Sequence, residues 1–244
     1  MREITFERYQ IESLMRRLPS DRGMLFLGAK VWEEDVPGWE RGRNLTLQDA
    51  PNQLTLRTIW DNPDSRGERI LADVIECPST EQAILALVDR LAANQLNRLP
   101  EGPDDLGLAS YVHPEGVPPS VYFVLGNLAV NIASFGDPPV DVLPAAYRLA
   151  ERLSSTPEEA RDELDISAGV DAVTPQEEVT VTLRLPYRVA ADAYTKFFVT
   201  GGSPVRREDH VAVIAEGAGP VQVEVFVTEP GRPALRGTLE IPLR

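Results

Sequence analysis

Two runs of β-forming residues, Val121-Tyr122-Phe123-Val124-Leu125 and Leu128-Ala129-Val130-Asn131-Ile132, are separated only by Gly126-Asn127. A two-residue link of that kind between β-formers specifies a hairpin. It also sets the register. Leu125 faces Leu128, Phe123 faces Val130 and Val121 faces Ile132, and opposed residues of an antiparallel pair point to one side, so one face is wholly apolar. The other face carries Tyr122, Val124, Ala129 and Asn131, a mixture that suits a half-wet surface or a second covering layer. Beyond Phe135-Gly136-Asp137-Pro138-Pro139 the period lengthens to 3.6. Leu143, Ala146, Tyr147, Ala150 and Leu153 form a helical stripe that needs a sheet to lie on.

The rest of the chain before residue 155 supplies that sheet. Ile11, Leu14, Met15 and Leu18 predict an amphipathic helix over 5–18, ended by Pro19. Met24 to Trp32 reads as a strand, and Glu33 to Asn44, rich in charge, glycine and proline, as a loop. Leu54 to Trp60 alternates as a half-buried strand, with Ile59 shifted by a bulge. Asp61 to Gly67 turns the chain and Arg69 to Cys77 returns it. Ser79-Thr80-Glu81-Gln82 is a capping box that opens a helix with Ile84, Leu87, Val88 and Leu91 on one side. A short strand over 107–112 then leads through a proline-rich connection into the central hairpin. Strand, strand, helix is thus followed by strand, hairpin, helix, an order compatible with a degenerate internal duplication.

After Ser154-Ser155-Thr156-Pro157 no helical period returns. Val179 to Leu185, Lys196 to Val199, Val211 to Ile214, Val221 to Val227 and Leu239 to Leu243 are short strands parted by turn clusters such as Gly201-Gly202-Ser203-Pro204. Six or seven strands in about 80 residues is the pattern of a small sandwich, immunoglobulin-like in architecture but without the cysteine pair or tryptophan of true immunoglobulin domains. The expected fold class is therefore α+β: a mixed antiparallel sheet with two or three packed helices over residues 1–155, then an all-β sandwich over 165–244.

Composition narrows the partners. A net charge of −14 argues against a nucleic-acid backbone or anionic membrane as direct partner. Lys30 and Lys196 are the sole lysines among 24 basic residues, an arginine bias of the kind a GC-rich bacterial genome imposes. Cys77 is the one cysteine, so neither an internal disulfide nor a thiolate metal cluster can form. No run approaches the roughly 18 apolar residues of a membrane span, and the expectation is a soluble protein, cytoplasmic or exported with its signal removed.

Reactive constellations are scarce. The histidines are His113 and His210, and no Gly-x-Ser-x-Gly elbow, His-x-x-x-His or Cys-x-x-Cys occurs. Nor is there a phosphate-binding glycine motif. Asp61-Asn62-Pro63-Asp64-Ser65-Arg66-Gly67-Glu68 has calcium-like oxygen chemistry but the wrong spacing, and reads better as a solvated turn. Glu33-Glu34-Asp35 holds carboxylates of the type glycosidases use, with no second group fixed at the needed separation. Trp32, Trp39 and Trp60 are the chain's tryptophans, and an aromatic face beside carboxylates can stack a sugar or a cation. Trp39, Trp32, Glu34 and Asp35 are the candidate ligand-binding residues, weighed against a plain core role for the tryptophans. The expected function is a non-catalytic binding or interaction protein without a cofactor, with a protein or glycan partner. A carboxylate-only glycan-acting enzyme and a structural subunit of a larger assembly are the competing classes.

Overall fold

The computed structural model describes residues 38–47, 54–93, 103, 105–112, 118–154, 160–189, 193–207, 210–217, 219–228 and 232–244. The helix and strand expected over 5–18 and 24–32 lie outside them. The chain divides into two compact units, one drawn from residues before Glu158 and one holding Glu158–Arg244.

In the first unit, β1 (Glu40–Leu47), β2 (Leu54–Asp61), β3 (Arg69–Glu76), β4 (Ala109–Val112), β5 (Ser120–Leu125) and β6 (Leu128–Ser134) form one antiparallel sheet in the order β1-β2-β3-β6-β5-β4. Two meanders are therefore joined at their third strands, and each is followed by a helix: α1 (Thr80–Ala93) and α2 (Leu143–Ser154). The central hairpin has the register its sequence sets, with Leu125 opposite Leu128, Phe123 opposite Val130 and Val121 opposite Ile132. Gly126 takes φ 56° at the first turn position, where a type II′ turn needs a positive value. The turn is also docked. Asn127 donates its side-chain amide to the Cys77 carbonyl at 3.0 Å, and the Cys77 N–H donates to the Asn127 carbonyl at 3.0 Å.

Both faces of β5 are covered. Tyr122 and Val124 join Ile75, Ala129 and Tyr111 in one cluster with Ile84, Leu87, Val88 and Leu91 of α1. Ser79 caps that helix, accepting the Gln82 N–H at 3.2 Å. Val121, Phe123 and Leu125 point the other way and are buried, and α2 also lies against β5. Tyr122, Val124 and Ala129 of the mixed hairpin face are therefore core under a second layer, while Asn131 is half-buried. The stripe of α2 also differs from its expected form. Ala145, Ala146, Leu149 and Leu153 are buried, whereas Tyr147 is exposed and donates its hydroxyl to Asp105 at 2.7 Å.

The second unit is a two-sheet sandwich. Strands β7 (Asp165–Ala168), β8 (Glu178–Arg184), β10 (Gly202–Arg206) and β11 (Val211–Ala215) make a sheet in the order β10-β11-β8-β7. Strands β9 (Tyr194–Thr200), β12 (Val221–Thr228) and β13 (Leu235–Ile241) make the other, in the order β13-β12-β9. Val179, Val181, Val213 and Ala215 from one sheet meet Val199, Val221, Val223, Val225 and Ile241 from the other in a single core. Period-two valines give each strand one inward face.

The α+β expectation needs correction. The described residues are mostly β, in three antiparallel sheets, with two helices among them, so the fold class is β-dominated rather than a sheet with two or three packed helices. Two segments read as irregular are strands. Glu40–Leu47 pairs with β2, and the register steps between Arg41 and Arg43, so Gly42 is the extra residue of a bulge in β1 rather than in β2. A Cβ at Gly42 would strike the Asp61 carboxylate. Gly202 and Ser203 likewise open β10 instead of completing a turn. Among the described residues β1 and β10 are edge strands, and an edge strand tolerates the glycine and proline that break an interior one.

Candidate functional site

Of the four residues nominated from sequence, Trp32, Glu34 and Asp35 lie outside the described residues. Trp39 directly precedes β1 and is half-buried, between the exposed Gly38 and Glu40. Trp60 is core, buried on β2 with its indole N–H lacking a hydrogen-bond partner.

The other sequence candidates resolve into structural roles. In the turn after β2, Asn62 donates its amide to Glu68 at 2.6 Å and accepts the Asp64 N–H at 3.0 Å, which closes the turn on itself. Among the described residues, no group of three or more His, Cys, Asp or Glu is placed to hold a metal ion. Burial, reinforced by the charge of Glu76, pushes the Cys77 thiol up to about 12, the opposite of what a nucleophilic cysteine needs. His113 is outside the described residues, and His210 is half-buried before β11. Nearby, Glu178 and Arg207 form a two-bonded ion pair; the hydrogen bonds from Arg207 hold the Glu178 carboxyl below its usual range.

The sheet of the first unit carries what the sequence did not nominate. Register places Arg57, Asp73, Asn131, Tyr122 and Tyr111 side by side on β2, β3, β6, β5 and β4, a polar row straight across five strands. Arg57 donates to both carboxylate oxygens of Asp73, at 2.6 and 2.7 Å. Next along the row, the Asn131 side-chain oxygen is buried without a hydrogen-bond partner. Tyr122 and Tyr111 lie under α1.

This row marks the edge of the helix cover. On one side of it Ile75, Ala129 and Val124 are buried under α1. On the other side exposure rises strand by strand. Along β6 it passes from Asn131 and Ala133, both half-buried, to Phe135, 56% exposed, whose N–H still bonds the Arg69 carbonyl at 2.9 Å and so extends the ladder. Ile59 and Leu71 on the same face are also half-buried, while their alternate neighbours Trp60 and Ile70 are core. Beyond them Arg69 and Asp61 pair at 2.8 Å, with side chains 51% and 45% exposed. The result is an open strip of sheet: Ile59, Leu71, Ala133 and Phe135, bounded by Arg57 and Asp73 at one end and by Asp61 and Arg69 at the other.

A backbone contact closes the outer end of the strip. Asp137 donates its N–H to the Gly67 carbonyl at 3.0 Å, and a Cβ on Gly136 would overlap that same carbonyl and lie 2.7 Å from the Arg69 nitrogen. Neither residue can be larger without parting the two turns. One sequence signal did point here. Asp73 and Asn131 are polar residues inside otherwise apolar runs, which alternation places on one face each, but it takes the β3–β6 pairing to set them side by side.

No helix among the described residues is long and apolar enough to cross a membrane. Compared with models of known protein families the chain matches none, and no curated protein resembles it in sequence.

Proposed function

We propose that the protein acts by binding a partner and not by catalysis, and that the open strip of the six-stranded sheet is its binding surface. One observation carries this reading. A sheet that buries its face under a helix at one end leaves Ile59, Leu71, Ala133 and Phe135 only partly covered at the other, framed by charged side chains. An apolar centre within a charged rim is the anatomy of a recognition surface. The β-sandwich is an appended module in this reading, and the partner is a protein surface.

The test is a turnover assay against a polysaccharide panel, with wild type beside a Glu33→Ala, Asp35→Ala double variant. No turnover by either protein is the expected result. Hydrolysis that the double variant loses would overturn the reading in favour of a carboxylate-only enzyme.

A further inference from the structure

We propose that the open strip is a self-association surface, and that its occupant is the same strip on a second copy of the chain, related by a two-fold axis lying between the sheets along the strand direction, midway between β2 and β3. The proposal rests on the binding role given above and names the partner. Its ground is charge. Asp61 on β2 lies opposite Arg69 on β3, and one patch away Arg57 on β2 lies opposite Asp73 on β3. Going round the patch the signs are minus, plus, minus, plus, and the accessible part of that pattern is Asp61, Arg69 and Arg57, since the Asp73 carboxylate is 5% exposed and held by its own Arg57.

That alternation has a geometric consequence. Turning one copy about such an axis places the β2 position of one chain over the β3 position of the other, row by row. Asp61 then faces the partner's Arg69, and Arg69 faces the partner's Asp61. At the other end Arg57 is set over the partner's own Arg57–Asp73 pair, which is closed within its chain, so the exchange of charge partners is confined to Asp61 and Arg69. No like charges meet, which is the condition an isologous interface imposes on a single surface. Within one chain the Asp61–Arg69 pair is about half exposed on both sides, a setting in which an ion pair contributes little. Across the axis the same four side chains become one network, flanked on its inner side by the apolar residues between the two rows. Ile59 and Leu71 supply the apolar centre, and the same rotation carries Ala133 and Phe135, on β6 and its extension, over the partner's β1, where Phe135, 56% exposed in one chain, becomes covered.

The same side chains distinguish this dimer from a simple alternative. Edge-to-edge pairing through β1 or β4 would use backbone groups and would leave these charges and Phe135 in water, so substitutions at Asp61, Arg69 and Phe135 would not affect it.

The experiment is sedimentation equilibrium on the full chain over a concentration series that reaches Kd values of about 1 mM, with wild type, Asp61→Arg, Arg69→Asp and Phe135→Ser. Wild type should self-associate to a dimer. Each single charge variant sets like charges against each other and should weaken association at least about tenfold, as should Phe135→Ser. Mixing Asp61→Arg with Arg69→Asp in equal amounts should restore dimers, because each chain then offers the charge the other lacks. This rescue separates an intermolecular role from damage to either fold, which circular dichroism of each variant also checks. A wild type that stays monomeric throughout, single variants that associate like wild type, or a mixture that does not recover would each overturn the proposal. Those outcomes leave the polysaccharide result untouched, so the choice of partner and the binding role fail separately.

Discussion

Replacing Arg57 should destabilise the first unit more than replacing the residue it is paired with. The Arg57 side chain is 32% exposed and that of Asp73 is 5% exposed, although they share the same two hydrogen bonds. In Arg57→Met the carboxylate stays buried and loses both donors, with little access to water. In Asp73→Leu the guanidinium left behind already reaches solvent. Breaking a buried pair by removing one partner costs about 3–5 kcal/mol, whereas exposed pairs contribute about 0–1 kcal/mol. With one side chain buried and the other about a third exposed, Arg57→Met should cost about 3 kcal/mol and Asp73→Leu about 1 kcal/mol. The double variant should cost less than the sum of the two, because the stranded carboxylate is gone. Urea unfolding followed by circular dichroism, with slopes compared so that only midpoint shifts are converted to free energy, measures all three. Equal single costs, or a larger loss for Asp73→Leu, would refute the assignment of unequal burial as the deciding factor.

The core makes further tests available. Phe123→Ala should cost about 3–5 kcal/mol, and Tyr122→Ala, buried under α1, about 3 kcal/mol; a Tyr122 cost below about 1 kcal/mol would mean the helix does not cover that face. Gly136→Ala forces a Cβ into the Gly67 carbonyl and should lower stability by about 1–3 kcal/mol, read as a drop in melting temperature. Cys77 should resist a thiol-directed dye at about pH 8 in the native protein and react fully after unfolding, since its thiol is held largely protonated. A fragment of residues 1–155 should unfold cooperatively alone, because both helical stripes have their sheet partners in that span; a broad, non-cooperative melt would count against it.

Local chemistry was legible wherever a few adjacent residues decide it. The Gly126-Asn127 hairpin, its register and the Ser79 cap follow from sequence neighbours, and all three are observed. Alternation located β2, β8 and β12 for the same reason. What was hidden depends on pairing between distant strands. The mixed face around Tyr122 suits water or a covering layer equally, because the helix that covers it begins 42 residues earlier, at Thr80. Residues 40–44, the first part of β1, looked like a loop because their charge and glycine mask a strand that absorbs Gly42 as a bulge. Tyr147 was counted into the α2 stripe because its spacing fits, yet its hydroxyl is drawn outward by Asp105. The open strip was invisible for a related reason: Ile59, Leu71 and Phe135 are unremarkable singly and become a surface only when the β2-β3-β6 order sets them together.

The sheet order β1-β2-β3-β6-β5-β4 also has a kinetic meaning. Within each meander, strands meet across short connections and can zip locally. The seam between β3 and β6 is different. It joins Ile70 to Ser134 and Glu76 to Leu128, separations of 134 − 70 = 64 and 128 − 76 = 52 residues, so the chain between must be gathered before any of those bonds forms. Loop closure of that length lowers the folding rate while adding little to the loss of native stability, because its entropic cost grows only logarithmically. The slow step in forming this unit should therefore be the docking of two preformed meanders, and substitutions along the seam, Ala72, Val74, Val130 and Ile132, should slow folding more than equally costly ones in the outer strands.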